Sequence, residues 1–388
     1  MSHAVAAPLQ WPSLAIGTAA AAGLFVYLLG QGDRHGWLLL IGLGLGIALY
    51  HAAFGFSGAY RRLARDGDMS GVTAQLIMIV LAVVLFAPIL VQGSVFGRFI
   101  GPALAPAGTS VAVGAFVFGI GMQLAGGCAS GTLFTAGGGN PRMMIVLIAF
   151  CGGAFWGSLD LGFWASLPEF GTISLSDRFG MTMALPLQLA GLAAIYGVLR
   201  LSGARNRQSL WWPDGFSPRL LLTGPWPLLL SAGLLALLNW ATLLVAGHPW
   251  SITWAFSLWA AKTAVALGWD PTTSAFWSGD FQQAALGRSI LADNTSVMNI
   301  GLIIGAFLAA SAQGRLKPRL TLSAGPLIAA VVGGVAMGYG ARLAYGCNIG
   351  AFFSGIASFS LHGWLWILCA IPGNLIGIVL RPRFGLDR

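Results

Sequence analysis

The chain has 388 residues, of which 57% are hydrophobic and only 8% charged, with a net charge of +9. A soluble domain carries about a quarter charged residues, so a water-facing globular surface is excluded and an integral membrane protein is implied. The positive excess does not call for nucleic acid, because short cytoplasmic loops of polytopic proteins collect Lys and Arg.

In chain order, no Lys or Arg precedes Arg34, so the basic n-region of a signal peptide is missing. The apolar run 14–30 reads as a retained transmembrane helix. Further runs of spanning length lie at 36–50, 74–92, 111–126, 142–158, 185–200, 222–246, 296–312, 326–343 and 362–380. The runs before Phe54, Cys128 and Cys347 break into glycine-rich stretches and then resume, a pattern of helices that stop inside the membrane. Basic clusters stand at Arg61/Arg62/Arg65, Arg200/Arg205/Arg207/Arg219, Arg315/Lys317/Arg319 and Arg381/Arg383/Arg388. Placing all of them in the cytoplasm requires both termini inside and four re-entrant segments, at 51–62, 128–140, 250–266 and 347–360. The expected fold is all-α: about ten transmembrane helices plus four short re-entrant helices.

One stretch occurs twice. Gly119-Ile-Gly-Met-Gln-Leu-Ala-Gly-Gly-Cys128-Ala-Ser-Gly131 aligns without a gap on Gly338-Tyr-Gly-Ala-Arg-Leu-Ala-Tyr-Gly-Cys347-Asn-Ile-Gly350. The copies share Gly119/Gly338, Gly121/Gly340, Leu124/Leu343, Ala125/Ala344, Gly127/Gly346, Cys128/Cys347 and Gly131/Gly350. Cys151 and Cys369 follow at nearly equal distances. The predicted organisation is an extra N-terminal helix (1–35), a first unit (36–158) and a connecting helix with its loops (159–221). An upside-down second unit (222–380) and a cytoplasmic tail (381–388) follow. Inverted repeats of this kind place transport sites at their interface near the bilayer midplane. In register, Ser57 falls opposite Thr253, and Gln123 opposite Arg342.

A non-helical turn within a membrane must be buried in protein or line a cavity, which puts the Cys128 and Cys347 turns where the halves meet. The short helices that follow would aim N–H groups and partial positive charge at one point, a setting for an anion, with glycines allowing close backbone approach. A thiol is a soft, weak donor suited to a guest whose own exposed atom is sulfur. Gly127, Ala129, Gly346 and Asn348 flank the cysteines and join the predicted site with Ser57 and Thr253. Buried Cys also serves as a plain small hydrophobe. That packing reading suits Cys151 and Cys369, which stand as secondary candidates. Arg342 is either a counter-charge to an anion or a snorkelling side chain. The Trp250–Trp277 stretch reads as an interfacial aromatic belt. No metal site is expected, since no C-x-x-C occurs and no His clusters with the cysteines. The Gly137-Gly-Gly-Asn-Pro run lacks the Lys-Ser/Thr of a phosphate loop. No cofactor and no enzymatic constellation is read.

The stretches Phe54-Gly-Phe-Ser57-Gly-Ala-Tyr-Arg61, Gly-Gly-Cys128-Ala-Ser-Gly and Tyr-Gly-Cys347-Asn-Ile-Gly resemble the YeeE/YedE family of bacterial inner-membrane proteins, over about 36–380. The resemblance implies an hourglass-like inverted-repeat helical fold and uptake of thiosulfate into the cytoplasm. It also implies cysteines that hand the ion inward by S–H to sulfur contacts, here Cys128 and Cys347, and a cytoplasmic sulfur-carrier protein as partner. Members of the thiosulfate-transporting kind carry a further cysteine where this chain has Ser57, which widens the expected substrate to thiosulfate or a related sulfur anion. Two other classes remain open from the residues: a membrane thiol–disulfide oxidoreductase using the same cysteines, and a structural membrane subunit.

Overall fold

In hydrocarbon every backbone N–H and C=O must be paired inside its own segment, and the apolar runs meet that demand as helices. The computed structural model describes residues 9–213, 215–316 and 323–387; His3, Lys317, Arg319 and Arg388 lie outside them. Ten helical segments among the described residues are long and apolar enough to cross a membrane. The helices used below are α1 (Trp11–Gln31), α2 (Asp33–His51), α3 (Phe56–Asp66), α4 (Ser70–Gln92), α5 (Thr109–Ala125), α6 (Ala129–Gly137) and α7 (Pro141–Leu159). They continue with α8 (Met181–Leu201), α9 (Leu228–Ala246), α10 (Thr253–Ala266), α11 (Asn294–Ala312), α12 (Ala324–Leu343), α13 (Ser354–Ala357) and α14 (Leu361–Leu380). This is an all-α, multi-pass membrane fold. Its small sheet content, two antiparallel pairs (94–95 with 98–99, and 106–108 with 169–172), lies in connecting segments.

All ten apolar runs are helical, with one trimmed. The run read as 222–246 breaks at Gly224-Pro225, leaving a short turn at Arg219–Thr223 ahead of α9; proline has no N–H to continue a ladder. Short helices occupy the four segments read as re-entrant. In the fourth, a π-turn over Asn348–Phe353 precedes α13.

The closest helix packing is set by glycine. At Gly114, Gly121, Gly333 and Gly340 an added Cβ would lie 2.4–2.7 Å from backbone of the facing helix, Gly114 against Gly340 and Gly121 against Gly333. This pairing makes α5 and α12 cross in opposite directions, their backbones held together by small residues. Gly119 meets Ala370 of α14, and Gly338 meets Phe150 of α7. The repeated motif glycines thus perform matching tasks: 121 and 340 join the central helices to each other, while 119 and 338 join each to its outer neighbour. The sequence reading gave Gly127 and Gly346 to the site and no role to these four, which the structure gives to helix contact.

The packed pairs also correspond. Exchanging α2–α7 for α9–α14 turns α2·α11 into α9·α4 and α5·α14 into α12·α7. The α5·α12 and α2·α9 pairs map onto themselves, and all of these pairs are in contact.

Arginine side chains close the end of α5, where the last carbonyls of a helix lack partners. Arg381 Nη1 donates to Gln123 O (2.5 Å) and Arg142 Nη2 to Leu124 O (2.9 Å). Arg381 is therefore a buried structural residue, also paired with Asp387 at 2.8 Å, and not a loose member of the basic tail.

The tryptophan stretch is corrected as well. Trp250 and Trp277 are fully buried. Trp250 N donates to Asn239 Oδ1 (2.8 Å), and Trp277 Nε1 to Ser158 Oγ (2.7 Å). They are internal packing residues, the Trp250 indole N–H even lacking a partner among the described residues, so the belt reading fails for both ends of the stretch.

Candidate thiol site at the paired turns

The two cysteines occupy the same local position. Each is the N-cap residue of the helix that follows, with extended backbone: Cys128 at φ −80°, ψ −171° and Cys347 at φ −96°, ψ −165°. Two residues earlier the chain passes through the left-handed region in both copies, at Gly126 (φ +88°) and Tyr345 (φ +56°). Glycine enters that region freely, whereas tyrosine does so only under constraint. The next residue is glycine both times. A Cβ at Gly127 would press on Gly131 at 3.3 Å, and one at Gly346 on Ala351 N at 2.7 Å.

Both thiols are buried and free. The Cys128 sulfur lies 3.2 Å from Ser130 Oγ, with the amides of Gly131, Ser130 and Phe56 around it. Cys347 Sγ accepts from Ile349 N (3.4 Å), and the Gly350 amide is close by. Backbone N–H groups of a helix start therefore face each sulfur. Segment α6 packs against the π-turn, so the two short segments that the cysteines cap are in contact.

Of the flanking residues, Ala129 and Asn348 are wholly buried. Ser57 stands against the first turn, its hydroxyl donating to Gly126 O at 3.3 Å while its own carbonyl accepts from Gln123 Nε2 at 3.0 Å. Thr253 begins α10 and is buried. Its segment reaches the second turn through Ser251, which adjoins Gly350, and through Trp250 O, which accepts from Ser354 Oγ at 2.8 Å.

Arg342 sits in the last turn of α12 beside Gly157, its guanidinium carbon 4.2 Å from the centre of the Phe276 ring. A cation over an aromatic face is attracted to the ring quadrupole. Cys151 on α7 and Cys369 on α14 are half-buried within spans, away from the paired turns in sequence. Lys262 donates to the carbonyls of Leu286 (2.6 Å) and Arg288 (2.5 Å), a structural use. Among the described residues no group of His, Cys, Asp or Glu could hold a metal ion.

Sequence reasoning missed Tyr60. Its ring packs edge-on against Phe56 at 6.3 Å, and its hydroxyl faces Asn348 and Cys128. The signal was present: Tyr60 follows Ser57 by three residues on α3, one turn along the same helix face.

The chain was compared with known proteins. A family model described as "Sulphur transport" matches residues 51–376. The chain is 33% identical to "Probable transporter YedE" of Escherichia coli K12 over 162 residues, 41% of this chain and 39% of that protein. Thus the match to that relative spans well under half its length. It is 26% identical to "Thiosulfate transporter TsuA" of Spirochaeta thermophila over 275 residues, 68% of this chain and 74% of the relative. A second relative of that name, from Escherichia coli K12, is 25% identical over 272 residues, 67% of this chain and 71% of the relative. With ten apolar helices and a family match over most of its length, the chain belongs to the YeeE/YedE sulphur-transport family of membrane proteins.

Proposed function

We propose that this protein is a permease for thiosulfate or a closely related sulfur-bearing anion, and that the ion passes the thiols of Cys128 and Cys347. One observation carries the reading: two buried thiols cap the N-termini of two short helical segments that pack against each other. Helix-start N–H groups offset negative charge, while the thiols offer soft contacts to a terminal sulfur. The names of the two TsuA relatives point to the same substrate class.

In this reading the units 36–158 and 222–380 form an inverted repeat. Its short helices re-enter the membrane, both termini are cytoplasmic, and the site lies near the midplane of a bacterial inner membrane. The exchange of packed pairs between the two sets of helices supports that arrangement. Gly127 and Gly346 keep the turns tight. Ala129 and Asn348 line them, and Ser57 and Thr253 stand at the approaches. Arg342 supplies positive charge from the side of Phe276, while Cys151 and Cys369 pack within their spans and take no part in holding the ion. A cytoplasmic sulfur-carrier protein would receive the ion.

Two free thiols on segments that pack against each other also suit a thiol–disulfide oxidoreductase. The classes separate in a bacterial strain stripped of its own sulfur uptake. The permease supports growth on thiosulfate as the sole sulfur source and shows no oxidant-dependent Cys128–Cys347 crosslink. No growth, together with a reversible crosslink in maleimide trapping, would favour the oxidoreductase.

A further inference from the structure

Buried polar groups are nearly always hydrogen-bonded, because an unpaired one keeps the full cost of its lost hydration. Beside the two thiols this rule is broken repeatedly. The Tyr60 hydroxyl and both Asn348 amide atoms are buried with no hydrogen-bond partner among the described residues. The Tyr60 hydroxyl is turned toward Asn348 and Cys128, yet it reaches no partner at full hydrogen-bond geometry. Thr132, one turn into α6 from Cys128, is likewise buried with an unpartnered hydroxyl. These atoms come from α3, the π-turn and α6, three elements that meet at the site.

We propose that Tyr60 and Asn348 bind the oxygen end of the guest while the thiols take its sulfur end. The inference rests on the reading of the site as a sulfur-anion permease and adds a direction to it. The phenol O–H and the amide N–H are hard, neutral donors; they offset charge on oxygen without fixing the ion as an arginine would. The guest selected is an anion with sulfur at one end and oxygens at the other. An anion with oxygens alone forfeits the thiol contacts, and one with sulfur alone leaves Tyr60 and Asn348 unpaired.

Tyr60→Phe isolates the claim, because the ring and its packing with Phe56 remain and only the hydroxyl is lost. Initial rates of radiolabelled thiosulfate uptake into vesicles would be read against concentration, with hydrosulfide as a competing anion that has no oxygen. The expected result is a KM for thiosulfate raised about tenfold, with maximal rate, membrane abundance and inhibition by hydrosulfide within about twofold. An unchanged KM, or a parallel loss of hydrosulfide inhibition, would overturn the inference while leaving the permease intact. Absence of thiosulfate uptake by the unaltered protein would instead remove the permease reading, and this inference with it. If Tyr60→Phe does not accumulate in the membrane, the same pair of readings on Asn348→Ser decides the question.

Discussion

Cys128→Ala and Cys347→Ala are each expected to lower the initial rate of thiosulfate uptake by about 10- to 100-fold. A hydrogen bond to a charged group is worth about 1.5–3 kcal/mol, and each 1.4 kcal/mol is a factor of ten. Alanine removes the sulfur without disturbing the extended backbone of the N-cap, which is not restricted to any residue type. The protein should therefore still reach the membrane. Radiolabelled uptake normalised to membrane abundance measures the effect, with Cys151→Ala and Cys369→Ala as controls. Those two are half-buried within ordinary spans and should stay within about twofold of the unaltered rate. Full uptake by both Cys128→Ala and Cys347→Ala would remove the thiols from the pathway.

Gly338→Leu and Gly340→Leu should abolish folded protein altogether. A Cβ alone at position 338 would sit 2.1 Å from Phe150 O, and at 340 it would sit 2.4 Å from Gly114 O. Both obstacles are backbone, so the helices themselves must separate, and overpacking of this kind costs about 1–3 kcal/mol even for small additions. Gly338→Ala and Gly340→Ala are expected to persist with an apparent Tm in detergent lowered by about 5 °C or more. Gly152→Ala and Gly233→Ala lie in helices of the same fold with open space at the Cβ and should melt as the unaltered protein does. Equal melting of all four alanine variants would mean that the α5–α12 and α7–α12 contacts do not depend on glycine.

How far the sequence could be read depends on the physical scale of each feature. Spanning helices were legible because hydrocarbon forces the whole run to be apolar, and the doubled Cys128 and Cys347 motif located the paired turns. The roles of the motif glycines were not legible, since glycine at a ligand and glycine at a helix crossing look alike in sequence. Only the Cβ positions at 119, 121, 338 and 340 separate the two. Arg381 belonged to a run of tail charges, and its burial follows from the unpaired Gln123 carbonyl that it closes. Trp250 and Trp277 fit an interfacial pattern by composition, while their burial is a matter of tertiary packing, Trp277 Nε1 bonding Ser158, 119 residues away. Tyr60 passed unremarked because a tyrosine on a short helix is ordinary until Asn348 is folded against it.

In the proposed permease the guest's sulfur meets the paired thiols. Selenosulfate, the analogue with selenium in place of the terminal sulfur, puts a strong anomalous scatterer where that contact would form. In crystals of the protein soaked with it, the account predicts an anomalous peak against the sulfur of Cys128, Cys347 or both. Peaks confined to other places, in a protein that still takes up selenosulfate, would contradict it.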